Sequence, residues 1–437
     1  MKPLGIHRFA RGVLVVATTC AVTLAIVLFV AAHAFTAKPG DWSIPMRFGV
    51  LGMGPTLDTS VATLLRVATH PVGIALLDGR SIETRAGTLH FTKLGVDSMA
   101  VDCAPCALRL PGLGDDRIAV GAARLTVLQR ADRLSGAILA GDIAGHYVGR
   151  FDAHGLQLDI DLDQAPIAAY FRLFGDAVPE ARVASIRGTA SFTLRVALPD
   201  GRVAVKPTIE GFTVSGLGTE LLAGRLPDVR CGEAAARVRG GRAFASFGNW
   251  LPRAVIAAED QRFDEHPGYD LAELAASLSR NGSANRIERG ASTIPQQLAR
   301  LLYVGSERSL ARKLRELLYA VEMEQTLGKP RMLQLYLAVA PWGEGTCGAT
   351  AAAQRYFGVA PSKLTGAQAV WLAAMLHAPD TEFDRWQARG GIDLARATWV
   401  ARGLPKTTRK TRERVIEDLT AMGPSTEAES VGLALRP

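Results

Sequence analysis

The hydrophobic period changes once along this chain, which limits it to two kinds of structure joined in sequence. Leu156, Leu158, Ile160 and Leu162 alternate with Gln157, Asp159, Asp161 and Asp163. A two-residue period turns one face of a strand to a core and the other to water. Phe192, Leu194, Val196 and Leu198 repeat it, Pro199-Asp200-Gly201 supplies a turn, and Val203 and Val205 resume the alternation. Similar fragments surround Leu89–Phe91 and Leu125–Val127. The stretch from about Asp41 to Arg230 therefore reads as an antiparallel, β-rich module of several short strands with one wet face.

From about Ala243 the period becomes helical, after a linker marked by Gly232, Gly240 and Gly241. Leu251-Pro252 opens a helix that runs through Ala258, with proline tolerated in the first turn. Asp270 with Glu273, and Thr293 with Gln296, have the spacing of capping boxes. Leu310, Leu314, Leu317, Leu318 and Val321 share one face of a further helix.

Ahead of both regions, Val13–Phe35 is almost wholly apolar and uncharged. At about 1.5 Å per residue it is long enough to cross a hydrocarbon core of about 30 Å. Lys2, Arg8 and Arg11 precede it, and the positive-inside rule keeps them cytoplasmic. Ala32-His33-Ala34 resembles a signal-peptidase site, but the run is long for a signal sequence, so an uncleaved anchor is the favoured reading. The 437 residues, 48% hydrophobic, then suffice for two domains outside the cytoplasm. A net charge of +8 suits an anionic membrane surface or pyrophosphate. No basic stripe interleaved with aromatics is present, so a nucleic-acid partner is not expected.

Nothing in the β-rich module assembles a catalytic constellation. His146 and His154 are too loosely spaced for a metal pair, and Asp159, Asp161 and Asp163 share a strand face that is more simply read as solvated. Of the five cysteines, Cys20 lies in the apolar run. Cys103 and Cys106, spaced C-A-P-C, read as a structural disulfide across a turn in preference to a redox pair. Cys231 and Cys347 either pair or stay free.

The chemistry lies in the helical half. Glu259-Asp260-Gln261-Arg262-Phe263-Asp264-Glu265-His266-Pro267-Gly268 puts a carboxylate where an apolar helix ends. Apolar surroundings raise a carboxyl pKa and let it exchange protons near neutrality. The segment resembles E-D-x-x-F-x-x-H-x-G, the first motif of family 51 glycosyltransferases. These are the glycan-polymerising domains of penicillin-binding proteins and their monofunctional relatives. Gly290-Ala291-Ser292-Thr293-Ile294-Pro295-Gln296-Gln297-Leu298-Ala299-Arg300-Leu301 resembles the second motif, and Arg312-Lys313-Leu314-Arg315-Glu316 the third, R-K-x-x-E. Leu335-Tyr336-Leu337 with Trp342-Gly343-Glu344-Gly345 resembles the fourth, and Leu364 to Pro379 a weaker fifth.

The resemblance implies a lysozyme-like helical fold acting on two lipid-linked substrates, a growing glycan strand on undecaprenyl pyrophosphate and a disaccharide-peptide acceptor (lipid II). By motif position, Glu259 would deprotonate the acceptor hydroxyl, and Glu316 would assist the departing pyrophosphate directly or through a divalent cation (magnesium or manganese). No nucleotide cofactor and no protein metal site is implied. Arg300, Arg312 and Lys313 would hold the pyrophosphate, with Asp260, Phe263, His266, Ser292, Thr293, Gln296 and Gln297 as further substrate contacts. For the Arg312–Glu316 pair the plain alternative is an ordinary surface ion pair. His266 equally fits a brace for the Pro267-Gly268 turn.

Departures from the family pattern include Leu301 and Ala338, where asparagines are usual, and Gln334, where glutamate is usual. The penicillin-reactive signatures do not occur as a set, so peptide cross-linking is assigned to a separate transpeptidase. A lysozyme-like lytic enzyme and a non-catalytic envelope scaffold are the competing functions. The fold class expected is multidomain α+β. It comprises a cytoplasmic tail (1–11), a transmembrane helix (12–35), a β-rich extracytoplasmic domain (41–231), a mainly α-helical glycosyltransferase domain (243–385) and a C-terminal tail (386–437). Its expected place is the inner membrane, single-pass, with the catalytic domain periplasmic.

Overall fold

The computed structural model describes residues 36–38, 41, 43–47, 56–84, 87–108, 118–152, 155–198, 202–225, 229–231, 236–238, 246–271, 292–307 and 309–422. The expected anchor, Cys20, His154, the Pro199–Gly201 turn, the linker glycines, Glu273, Gly290 and Ala291 lie outside them. Among the described residues no helix is long and apolar enough to cross a membrane.

A ribbon of β1 (Ser43–Arg47) and β2 (Thr56–Ser60) leads into α1 (Val61–Thr69) and α2 (Pro71–Leu77). Nine strands then form one antiparallel sheet in chain order. They are β3 (Ser81–Thr84), β4 (Gly87–Lys93), β5 (Ser98–Leu108), β6 (Ile118–Arg130), β7 (Arg133–Ala140), β8 (Ile143–Phe151), β9 (Leu156–Pro166), β10 (Ser185–Leu198) and β11 (Arg202–Ser215). The alternation has its expected result. Val101, Leu125, Val127, Tyr147, Leu158, Ile160 and Val196 pack beneath α1 and α2. The opposite face carries cross-strand pairs, Arg124 with Asp102 at 2.8 Å and Arg195 with Asp159 at 3.1 Å.

The strands are not short. β5, β6, β9, β10 and β11 run for 11 to 14 residues, because internal prolines and glycines are absorbed as irregularities instead of ending the strand. The register shifts between Cys103 and Cys106 and between Arg187 and Thr189. Cys103 and Cys106 form the expected disulfide, but it closes the irregularity inside β5 and does not span a turn. Cys347 is also disulfide-bonded. The β-rich region further contains α1, α2, α3 (Ile167–Arg172) and α4 (Glu180–Val183), which the strand reading did not anticipate.

In a strict up-and-down sheet the connections alternate between two ends. Arg66 Nη2 donates to Asp152 O at 2.5 Å, placing α1 at the end where β8 turns into β9. Helices α3 and α4, between β9 and β10, lie at the other end. There they meet the helical half, and Ile167, Phe171, Val178 and Val214 share one apolar cluster with Tyr269, Leu318 and Val321.

A second ribbon, β12 (Val229–Cys231) with β13 (Ala236–Val238), precedes the helices. These are α5 (Trp250–Glu259), α6 (Ile294–Ala299) with a π turn at Arg300–Val304, α7 (Leu310–Thr326), α8 (Gly328–Val339), α9 (Gly348–Phe357), α10 (Gly366–Met375), α11 (Pro379–Arg389), α12 (Leu394–Arg402) and α13 (Arg409–Ala421). Helix α10 is buried along its length, from Ala367 to Met375 on most sides, and forms the centre of this half. The stretch from 386 onward was expected as a tail. Its described part instead builds the core: Ala397, Val400, Ala401, Leu404, Val415 and Leu419 are all buried against α5 and α10 residues. Charged residues between these apolar positions gave the segment its tail-like composition.

Candidate active site

Glu259 is the last residue of α5. The apolar face of that helix, with Leu251, Ala254, Val255 and Ala258 buried, carries the carboxylate into the protein until its side chain is 10% exposed. Gln297 Nε2 donates to Glu259 Oε2 at 2.9 Å, and Tyr336 OH donates to Gln297 Oε1 at 2.8 Å. The tyrosine thereby fixes which end of the Gln297 amide faces the carboxylate. Glu259 Oε1 has no hydrogen-bond partner among the described residues, and Arg396 Nη2 stands 3.8 Å from it. Burial pushes the Glu259 carboxyl above its ordinary value of 4.5, while the Gln297 hydrogen bond and the charges of Arg396, His377 and Arg300 pull it back.

Next to it, Asp260 is held wholly by protein. His266 Nε2 donates to its carboxylate at 2.9 Å, and the Ile294 N–H donates to Asp260 Oδ2 at 2.9 Å. This ties the first motif to the start of α6. Phe263 is in the core, with Lys329 Nζ 4.7 Å from its ring centroid. Lys329 also donates to His266 O at 2.6 Å. Asp260, Phe263 and His266 were expected as substrate contacts. All three are buried, and for His266 the bracing alternative describes its bonds. Gly268, at φ 89°, completes the bracket: a Cβ there would lie 2.8 Å from Ala320 O of α7.

Helix α6 begins with the predicted capping box. Gln296 N donates to Thr293 Oγ1 at 3.4 Å and Thr293 N to Gln296 Oε1 at 3.1 Å, while Thr293 Oγ1 donates to Gly268 O at 2.7 Å. Thr293 and Gln296 are thus spent on the helix start, which leaves Gln297 to face Glu259.

The third motif lies on α7. Glu316 is 1% exposed, paired with Arg312 one turn before it and 3.2 Å from Lys313 Nζ. That burial removes the ordinary surface ion pair as an account of Arg312 and Glu316. Lys313 also bonds Ser292 Oγ. Burial pulls the Lys313 ammonium below its ordinary value of 10.5, against the raising effect of Glu316. Arg300, at the start of the π turn, is close enough to both clusters for its charge to act on Glu259 and Lys313. Among the described residues no three His, Cys, Asp or Glu side chains gather as a metal site.

A family model described as Transglycosylase matches residues 235–403. The biosynthetic peptidoglycan transglycosylase of Cupriavidus metallidurans is 42% identical over 161 residues, which is 36% of this chain and 69% of that protein. The chain belongs to the transglycosylase family. Those of Nitrosomonas eutropha (42% identical over 136 residues) and Alcanivorax borkumensis (40% over 161) align with 31% and 36% of this chain. The chain spans 56% and 64% of the length of those two relatives. All the transglycosylase motif residues fall inside the matched stretch, and the nine-stranded sheet falls outside it.

Three site residues were not singled out from sequence. Tyr336 sits in the fourth motif, where its hydroxyl had no assigned partner. His377 accompanies the fifth. Arg396 lies in the presumed tail; the visible signal was Asp393, whose carboxylate caps α12 by accepting from Arg396 N at 3.0 Å. Arg396 then donates to Ala258 O at 2.7 Å and reaches Glu259.

Proposed function

We propose that this chain polymerises lipid II into β-1,4-linked glycan strands, releasing undecaprenyl pyrophosphate, in cell-wall synthesis. The observation that carries the proposal is the setting of Glu259. One oxygen is fixed by Gln297, the other has no hydrogen-bond donor among the described residues, and burial keeps the pKa raised. A general base needs a free lone pair and a proton affinity near the working pH.

In the proposed step, Glu259 Oε1 takes the proton of the acceptor sugar hydroxyl as that oxygen bonds to the donor anomeric carbon. The bond from that carbon to the pyrophosphate oxygen breaks with inversion, and the electron pair leaves on the pyrophosphate. Arg300, Arg312 and Lys313 supply positive charge for it, a preorganised electrostatic term. Glu316 is engaged by Arg312 and Lys313, so it acts through them, holding both cations in place. No step is routed through a magnesium or manganese ion. Asp260, His266, Thr293 and Gln296 position the site, and Ser292 orients Lys313. The apolar run Val13–Phe35 would anchor the enzyme in the inner membrane with this site on the periplasmic side, beside its lipid-linked substrates and a separate transpeptidase.

Purified full-length chain incubated with lipid II is expected to give glycan polymer, and Glu259→Gln to give none. Release of soluble fragments from intact sacculi, without polymer from lipid II, would favour the lytic alternative. Equal, negligible product from both forms would favour the scaffold.

A further inference from the structure

Helix α7 has two faces with different owners. Arg312, Lys313 and Glu316 belong to the site. On the other side, Leu310 packs with Cys103, Cys106 and Val120 of the sheet. Leu314, Leu317, Leu318 and Val321 pack with Ile167, Phe171, Val178 and Val214. Positions 310, 314, 317, 318 and 321 recur at helical spacing, so the sheet module covers one stripe along about 17 Å of the helix.

Apolar contact alone lets a helix slide and roll, because dispersion and burial are not directional. Directional ties are present as well. Arg315 Nε donates to both carboxylate oxygens of Glu180 at 2.8 and 2.9 Å, and Arg315 Nη2 lies 2.8 Å from Oε1. Glu322, 1% exposed, accepts the Leu217 N–H at 2.7 Å and the Thr219 N–H at 3.3 Å, from the segment that follows β11. Thr219 and Thr326 share a hydroxyl bond of 2.8 Å, and Arg331 Nη2 donates to Leu222 O at 2.7 Å. The Glu180 tie adjoins Glu316, and the Glu322 tie lies less than two turns beyond it. A slip of one residue would move α7 by about 1.5 Å and turn Glu316 by about 100°. Charge-assisted, bidentate bonds resist that motion.

We propose that the β-rich module is a positioning element for the cationic end of the site. Glu180 and Glu322 are the positioning residues that set the register and rotation of α7, and through them the aim of Arg312, Lys313 and Glu316. This rests on the glycosyltransferase reading for its kinetic consequence, but not for its structural one. It gives the module, which lies outside the stretch matched to the family, a part in the reaction without any substrate contact.

The test uses full-length Glu180→Arg, Arg315→Glu and the double exchange, with the milder Glu180→Gln beside them. Hydrogen exchange of the amides at 310–326, thermal melting, and kcat and KM for lipid II are measured on each. Each single reversal places like charges together and is expected to speed exchange along α7 about tenfold. It should also raise KM about fivefold with a smaller change in kcat, as expected when ground-state grip is lost. The double exchange should restore both exchange and KM to within about twofold, and Glu180→Gln should shift both in the same direction by less. Singles that exchange and turn over like wild type would overturn the proposal, as would a lower melting temperature with unchanged KM. An inactive wild type would overturn the glycosyltransferase reading instead, and the exchange data would still decide whether the module positions α7.

Discussion

The two ends of the site hold the same functional group in opposite settings. Glu316 is buried with two cations on its carboxylate. Glu259 is buried with one neutral amide on one oxygen and, among the described residues, no hydrogen bond on the other, with the Arg396 guanidinium 3.8 Å away. A carboxylate that has to hold charge in place is stabilised by tight pairing, whereas one that has to accept a proton is disabled by it. The difference lies in the neighbours, and it separates a base from a structural anchor more sharply than burial does.

Removing each carboxylate should therefore have different consequences. Glu259→Gln is expected to lower polymerisation about a thousandfold, the scale of a lost general base. It should not lower the melting temperature at pH 7. The raised folded-state pKa means that ionised Glu259 disfavours the fold. The stability present below the ordinary 4.5 is lost as pH rises through the folded value, and glutamine is spared that loss. Melting curves of both forms from pH 4 to 8 check this; a mutant less stable at neutral pH would erase the contrast. Glu316→Gln should lower polymerisation about a hundredfold and also destabilise the protein by roughly 3 kcal/mol, because two cations lose their buried partner. Denaturant unfolding measures that cost. A Glu316→Gln protein as stable as wild type would place Glu316 in the same class as Glu259.

Tyr336→Phe sharpens the comparison with a smaller effect. Without the hydroxyl donor, the Gln297 amide no longer has a preferred orientation toward Glu259. Rates about tenfold lower, with unchanged folding by circular dichroism, are expected, roughly one hydrogen bond's worth. Loss of folding would mean that the Tyr336 bond serves the core instead.

The sequence made one of these settings more legible than the other. The end of an apolar helix at Glu259 and the Thr293–Gln296 cap are local patterns, readable from spacing within a turn or two. The four-residue spacing of Arg312 and Glu316 was equally visible, yet a helix surface and a helix interface share that spacing. The pair lies on the face of α7 turned away from the sheet and toward the helical half, α6 above all, a tertiary contact that spacing does not show. Arg396 was invisible because its contact with Glu259 spans 137 residues and its surroundings are charged enough to look solvated. The sheet was foreseen from its alternation, but its strand lengths were not, since prolines and glycines that end isolated strands sit within bulges here.

The pH dependence of the polymerisation rate tests the central claim most directly, because it reads the protonation of Glu259 in the working enzyme. The rate should rise with pH along a limb that inflects above 4.5, where the raised carboxyl gives up its proton, and fall along a limb that inflects below 10.5 as Lys313 is neutralised. An acid limb absent or lying at or below 4.5, in a protein that still makes polymer, would contradict the assignment of Glu259 as the base.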